Sequence, residues 1–172
     1  MNNKAWIITL AMVFVFLASL EQTRGEEAMK LSSPEFKDGQ FMPAKFSCEG
    51  KDISPELVIE DIPQEAKSLA LIVDDPDAPM GTWVHWVVFD IPLMNKIKED
   101  SIPGRQGVNT AGSKNYHGPC PPSGVHRYFF KIYALDTVLN LREGVSKGQL
   151  ETSMQGHILA SAKLLGLYQK NK

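Results

Sequence analysis

Leu69-Ala70-Leu71-Ile72-Val73 and Trp86-Val87-Val88-Phe89 are apolar at every position. A strand with one wet face alternates apolar and polar residues, so unbroken runs of this length predict central strands covered on both sides. Around them, from residue 30 to residue 136, short β-branched runs are separated by Pro and Gly, and helical periodicity is poor. The pattern predicts strands at 44–47, 57–60, 68–74, 84–90 and 128–135, a mainly β chain until late in the sequence. Between the strands stand Pro76, Pro79, Pro92, Pro103, Pro119, Pro121 and Pro122. Proline fixes φ and lacks an N–H, so these loops are stiff, can hold a preformed site, and can include cis X-Pro bonds.

Helix is expected only near the end. Ser146-Lys147-Gly148-Gln149 fits a capping box, and Leu150, Met154, Ile158, Ala162 and Leu165 recur at helical spacing. Gly156 is expected to divide this helical segment, and Gly166 to cap it before Leu167-Tyr168 return to the sheet.

The chain has 172 residues, with 18 Lys+Arg against 20 Asp+Glu and a net charge of -2. That balance argues against a general nucleic-acid binder, which needs a basic patch. Lys4, an apolar run at 5–20 and a polar stretch ending Thr23-Arg24-Gly25 read as a secretory signal peptide, 1–25. The run is short for a membrane span, and no stable anchor is expected once it is removed. A retained anchor is the other reading. Residues 26–172 then form a single domain, periplasmic or secreted, long enough to bury a core unaided. Cys48 and Cys120 would enter an oxidising space, yet a chain of this length needs no staple, so their pairing stays open. Neither belongs to a C-x-x-C pair, which argues against metal ligation through them.

Three clusters can carry chemistry. Asp74-Asp75-Pro76-Asp77-Ala78-Pro79 ends an apolar strand, and its carboxylates need partners, as caps of a turn or as an orienter for a histidine. In Thr82-Trp83-Val84-His85-Trp86, strand alternation sets Trp83 and His85 on one face and Val84 and Trp86 on the other. In the stretch from Tyr116 to Tyr128, His126 and Tyr128 likewise share a face. Should the last two clusters meet, imidazole, phenol and backbone donors converge over stiff loops, an arrangement suited to an anion such as phosphate. His117 and His157 read as peripheral, the first in a loop and the second on the helix beside Gly156.

D-P-D-A-P (Asp75 to Pro79), W-x-H-W (Trp83 to Trp86), G-P-C-P-P-x-G-x-H-R-Y (Gly118 to Tyr128) and A-L-D (Ala134 to Asp136) together resemble the phosphatidylethanolamine-binding protein family, most closely its bacterial Raf-kinase-inhibitor-like branch. The resemblance spans about Met29 to Tyr168. It implies a β-sandwich of a large and a small sheet with a C-terminal helical segment. It also implies a shallow pocket for phosphate or phosphorylated head groups, formed by Asp75, Trp83, His85, Gly118, Pro122, His126 and Tyr128. Arg127 is expected to pair with a carboxylate such as Asp77.

The expected function is a non-catalytic binding protein that modulates kinases or other enzymes. Its expected partner is a phosphate-bearing small molecule, a lipid head group or a phosphorylated protein, with no cofactor, no metal and no nucleic acid. Within the pocket, Asp75 is expected to orient His85 and raise its pKa. Three alternatives stand beside this: a weak hydrolase with His85 and Asp75 as base and Ser123 as nucleophile, a metal site of Asp75, His85 and His126, and an enzyme inhibitor acting through loops 32–41 or 95–113. No H-E-x-x-H or Walker loop supports catalysis.

Overall fold

The computed structural model describes residues 28–171, so the expected signal segment, 1–25, lies outside the described residues. In chain order the elements are β1 (Lys30–Ser32), β2 (Gln40–Phe41), a 3-10 turn (Ala44–Phe46), β3 (Leu57–Glu60), β4 (Ser68–Asp75), β5 (Trp83–Ile91), β6 (Lys96–Ile97), β7 (Arg105–Gln106), β8 (His126–Leu135), α1 (Lys147–Met154) and β9 (Ile158–Tyr168). A large sheet runs β2-β9-β8-β4-β5-β7, and a small one runs β1-β3-β6. The expected two-sheet, mainly β architecture is what forms.

The runs that predicted two-sided burial sit at the centre of the large sheet. Leu69, Leu71, Val73, Trp86 and Val88 face the small sheet, packing with Leu31, Leu57, Ile59 and Ile97. Ala70, Ile72, Val87 and Phe89 face the other way, under Leu150 and Met154 of α1. Each fully buried Leu or Ile contributes about 1.5–3 kcal/mol, so the two layers together account for much of the driving force for folding.

Three local expectations are corrected. The 44–47 segment is a 3-10 turn: Pro43 fixes the entry, and the Phe46 and Ser47 amides donate back to the Pro43 and Ala44 carbonyls. The helical segment stops at Met154 and does not continue to Gly166. Its capping box forms, with Gln149 N donating to Ser146 Oγ at 3.2 Å and Ser146 N to Gln149 Oε1 at 2.8 Å. Gly156, at φ +79°, then turns the chain out of the helix. Beyond it lies the 11-residue strand β9, antiparallel to β8. Residues four apart also share a strand face, so Ile158 and Ala162 satisfy either period, and pairing with β8 selects the strand. His157 therefore follows the helix and does not sit on it; its Nδ1 lies 2.8 Å from Asp136 Oδ1. Finally, all peptide bonds among the described residues are trans.

Candidate functional site

The acidic turn at the end of β4 resolves into three separately partnered carboxylates. Asp74 points to the α1 side of the sheet, where Lys131 and Lys147 reach it at 2.8 and 2.6 Å. Asp75 points the opposite way, accepting from the Asp77 amide at 2.8 Å and lying 2.7 Å from His126 Nδ1. Asp77 accepts both Arg127 Nε (2.9 Å) and Nη2 (2.7 Å), the expected pairing, and the guanidinium holds its carboxyl below the usual carboxylate range.

Strand β5 departs from simple alternation at the histidine. Val73 pairs with Trp86 but Asp74 pairs with Val84, so His85 is an extra residue on β5, a β-bulge. The bulge corrects the expected facing of Val84 and Trp86: Val84 packs on the α1 side, while Trp86 enters the core between the sheets. His85 and Trp86 thus lie on the same side, and His85 is carried to the edge of that core.

The loop leading into β8 is tied down at four points. His117 N donates to the His85 carbonyl, Gly118 N to Asp52 Oδ1, and Cys48 N to the Pro119 carbonyl. Cys48 and Cys120 are joined as a disulfide, which settles the pairing that the sequence left open. Gly118 lies so close to the 3-10 turn that a Cβ would stand 2.2 Å from the Phe46 carbonyl oxygen.

Between this loop, the acidic turn and the start of β5 opens a cavity of about 710 Å³. Of the expected site residues, Asp75, Trp83, His85, Pro122, His126 and Tyr128 line it. Gly118 does not; it is buried beneath the loop, with its amide engaged by Asp52. His117, read as peripheral, lines the cavity instead, its ring stacked on that of His85 at 14° with centroids 6.1 Å apart. Nothing in the sequence marked it beyond its place in the Tyr116 to Tyr128 cluster.

Asp75 serves His126 rather than His85. The nearest acceptor of His85 Nδ1 is the His117 carbonyl oxygen at 2.5 Å, and the Tyr128 ring meets the imidazole edge-on at 5.1 Å. Burial pushes the His85 pKa down to about 4, against the opposing effects of the His117 carbonyl and Asp75, so the expected rise is reversed. Tyr128 is held well above its ordinary value, chiefly by burial and then by the charge of Asp75, and stays protonated. Among the described residues, two buried side-chain polar atoms lack a hydrogen-bond partner: His85 Nε2 and the Tyr128 hydroxyl. Both residues line the cavity. Ser123 is exposed and does not line it, and Asp75, His85 and His126 are not grouped as a metal-binding set among the described residues.

The comparisons show the family and the fold. A family model described as phosphatidylethanolamine-binding protein matches residues 32–169. A UPF0098 protein of Methanothermobacter thermautotrophicus is 51% identical over 150 residues, covering 83% of this chain and 99% of its own. One from Chlamydia trachomatis is 49% identical over 150 residues, covering 83% and 100%. Among solved structures, a phosphatidylethanolamine-binding protein homologue from Chlamydia trachomatis superposes with a TM-score of 0.82 at 48% identity, over 84% of this chain and 99% of that one. Escherichia coli YbcL, described as a member of the mammalian family, superposes with a TM-score of 0.77 at 29% identity, over 83% and 99%.

Proposed function

The chain belongs to the phosphatidylethanolamine-binding protein family, and we propose that it is a non-catalytic binding protein whose cavity takes a phosphate-bearing group, on a small molecule, a lipid head group or a protein. The observation that carries this is the pair of unpartnered buried atoms, His85 Nε2 and Tyr128 Oη, in residues that line one cavity. Burying a polar atom without a partner costs about 1–3 kcal/mol, a cost that a ligand with matching polar atoms relieves. His126, fixed through Nδ1 by Asp75, keeps Nε2 as its available nitrogen, and His117 adds a second imidazole at the wall. Trp83, Pro121 and Pro122 supply apolar walls that exclude water around the group. Ser123, the serine nearest in sequence, lies outside this lining, which gives no support to its use as a nucleophile.

Calorimetric titration of the protein and of His85→Ala with phosphoethanolamine tests the proposal. Saturable binding by the parent, weakened at least about tenfold in the variant, is the expected result. Equal binding by both proteins contradicts it and moves function to the loops.

A further inference from the structure

We propose that the cavity accepts a phosphoryl group only with a proton shared between it and His85 Nε2, so that it binds the singly charged, protonated phosphate monoester and rejects a permanently ionised sulfate ester. This rests on the phosphate reading above and specifies the ionic form of the ligand.

The His117 carbonyl has no proton to give, so the hydrogen bond at 2.5 Å places the proton of the neutral imidazole on Nδ1. Nε2 is then a bare lone pair. It is buried and unpartnered, in a residue only 4% exposed. An ionised phosphoryl oxygen is also acceptor-only, and two acceptors brought together away from water repel. One proton converts the repulsion into a hydrogen bond, whether it resides on the oxygen or on the ring. Because burial makes the free ring a poor base, the ligand must bring that proton near neutral pH.

The rest of the lining points the same way. Among the described residues no Lys or Arg lines the cavity, and Arg127, next in sequence to His126, donates from both Nε and Nη2 to Asp77. Of the groups around His85, Asp75 on β4 carries a negative charge and bonds His126 on β8; the Tyr128 hydroxyl, also on β8, is a donor. From the loops, Tyr116 donates to the Phe46 carbonyl, and His117 Nδ1 lies 3.8 Å from Asp52 Oδ2. A doubly charged phosphate would enter this surround with no fixed positive charge to meet it. A phosphate monoester has a second pKa near about 6 and still offers an O–H there, whereas a sulfate ester has none to offer.

Phosphoethanolamine and ethanolamine O-sulfate, equal in shape, are to be titrated calorimetrically at pH 6 and 7.5 in two buffers of different ionisation enthalpy. The phosphate ester is expected to bind at least about tenfold more tightly than the sulfate ester. Its apparent affinity should fall about tenfold per pH unit above its second pKa, with uptake of nearly one proton at pH 7.5. The sulfate ester brings no proton of its own, so its pH dependence measures every contribution from the protein and separates it from the effect proposed. In His85→Gln, whose carboxamide can turn an N–H toward the cavity, the preference should shrink to about threefold or less. Equal affinity for both esters, binding without proton uptake, or a preference that survives in His85→Gln overturns the inference while leaving the phosphate reading intact. Failure of phosphoethanolamine to bind at all overturns both.

Discussion

His85 sits where backbone, burial and neighbouring rings all act on one imidazole, and its titration follows from them. With its pKa held at about 4 against an ordinary 6.5, the unfolded chain takes up the proton first as pH falls. The neutral ring therefore contributes stability that is complete above about 6.5 and is lost toward 4, about 3 kcal/mol in all. Urea unfolding of the parent and of His85→Gln from pH 7 to pH 4 should show that extra acid sensitivity in the parent alone, and NMR should show no His85 titration above pH 5. A His85 titrating near its ordinary value would contradict the burial argument. Strand alternation alone placed His85 beside Trp83, and His126 beside Tyr128, and all four line the cavity, because side-chain direction follows local period wherever no bulge intervenes. Which histidine Asp75 would hold was not legible. That pairing depends on a bulge of one residue in β5 and on the register of β4 against β8, both tertiary outcomes.

At the scale of elements, the loop from Tyr116 to Pro122 matters most, since it delivers His117, Cys120, Pro121 and Pro122 to the cavity wall. Gly118 permits its close approach to the 3-10 turn. Gly118→Ala would place a methyl 2.2 Å from the Phe46 carbonyl oxygen, with Asp52 and Ser47 atoms also inside 3 Å. It is expected to cost about 1–3 kcal/mol in denaturant unfolding and to shift the amide resonances of His85 and His117 together. An unperturbed His85 amide would mean that the loop does not position that residue. The density of proline marked this loop as stiff, but its four ties come from residues distant in sequence and left no local signal. Strand β9 was misread for a related reason: its apolar spacing fits two periods, and only the pairing surface of β8 decides between them.

For the whole molecule, the two-layer core was legible because strands apolar at every position require cover on both faces. The small sheet and α1 provide that cover. The Cys48–Cys120 bond was not legible, because sequence spacing carries no distance; folding brings the two Cα atoms to 5.4 Å. Closing a loop of 72 residues restricts the unfolded chain, so the Cys48→Ser/Cys120→Ser pair should lose up to about 4 kcal/mol in urea unfolding. A loss below about 1 kcal/mol would mean that the hydrogen bonds of the loop hold it without the bond. The described residues thus form a two-sheet sandwich with a cavity lined by His85 and Tyr128, whose Nε2 and hydroxyl have no hydrogen-bond partner. The most direct test of that claim is a ¹H–¹⁵N NMR titration with phosphoethanolamine at pH 6, run on the parent and on Tyr128→Phe, a change that removes only the Tyr128 hydroxyl. Shifts confined to Asp75, His85, His117, His126 and their neighbours, reduced in a variant no less stable than the parent, are the predicted result. Shifts spread over distant surfaces, or none at millimolar ligand, would contradict it.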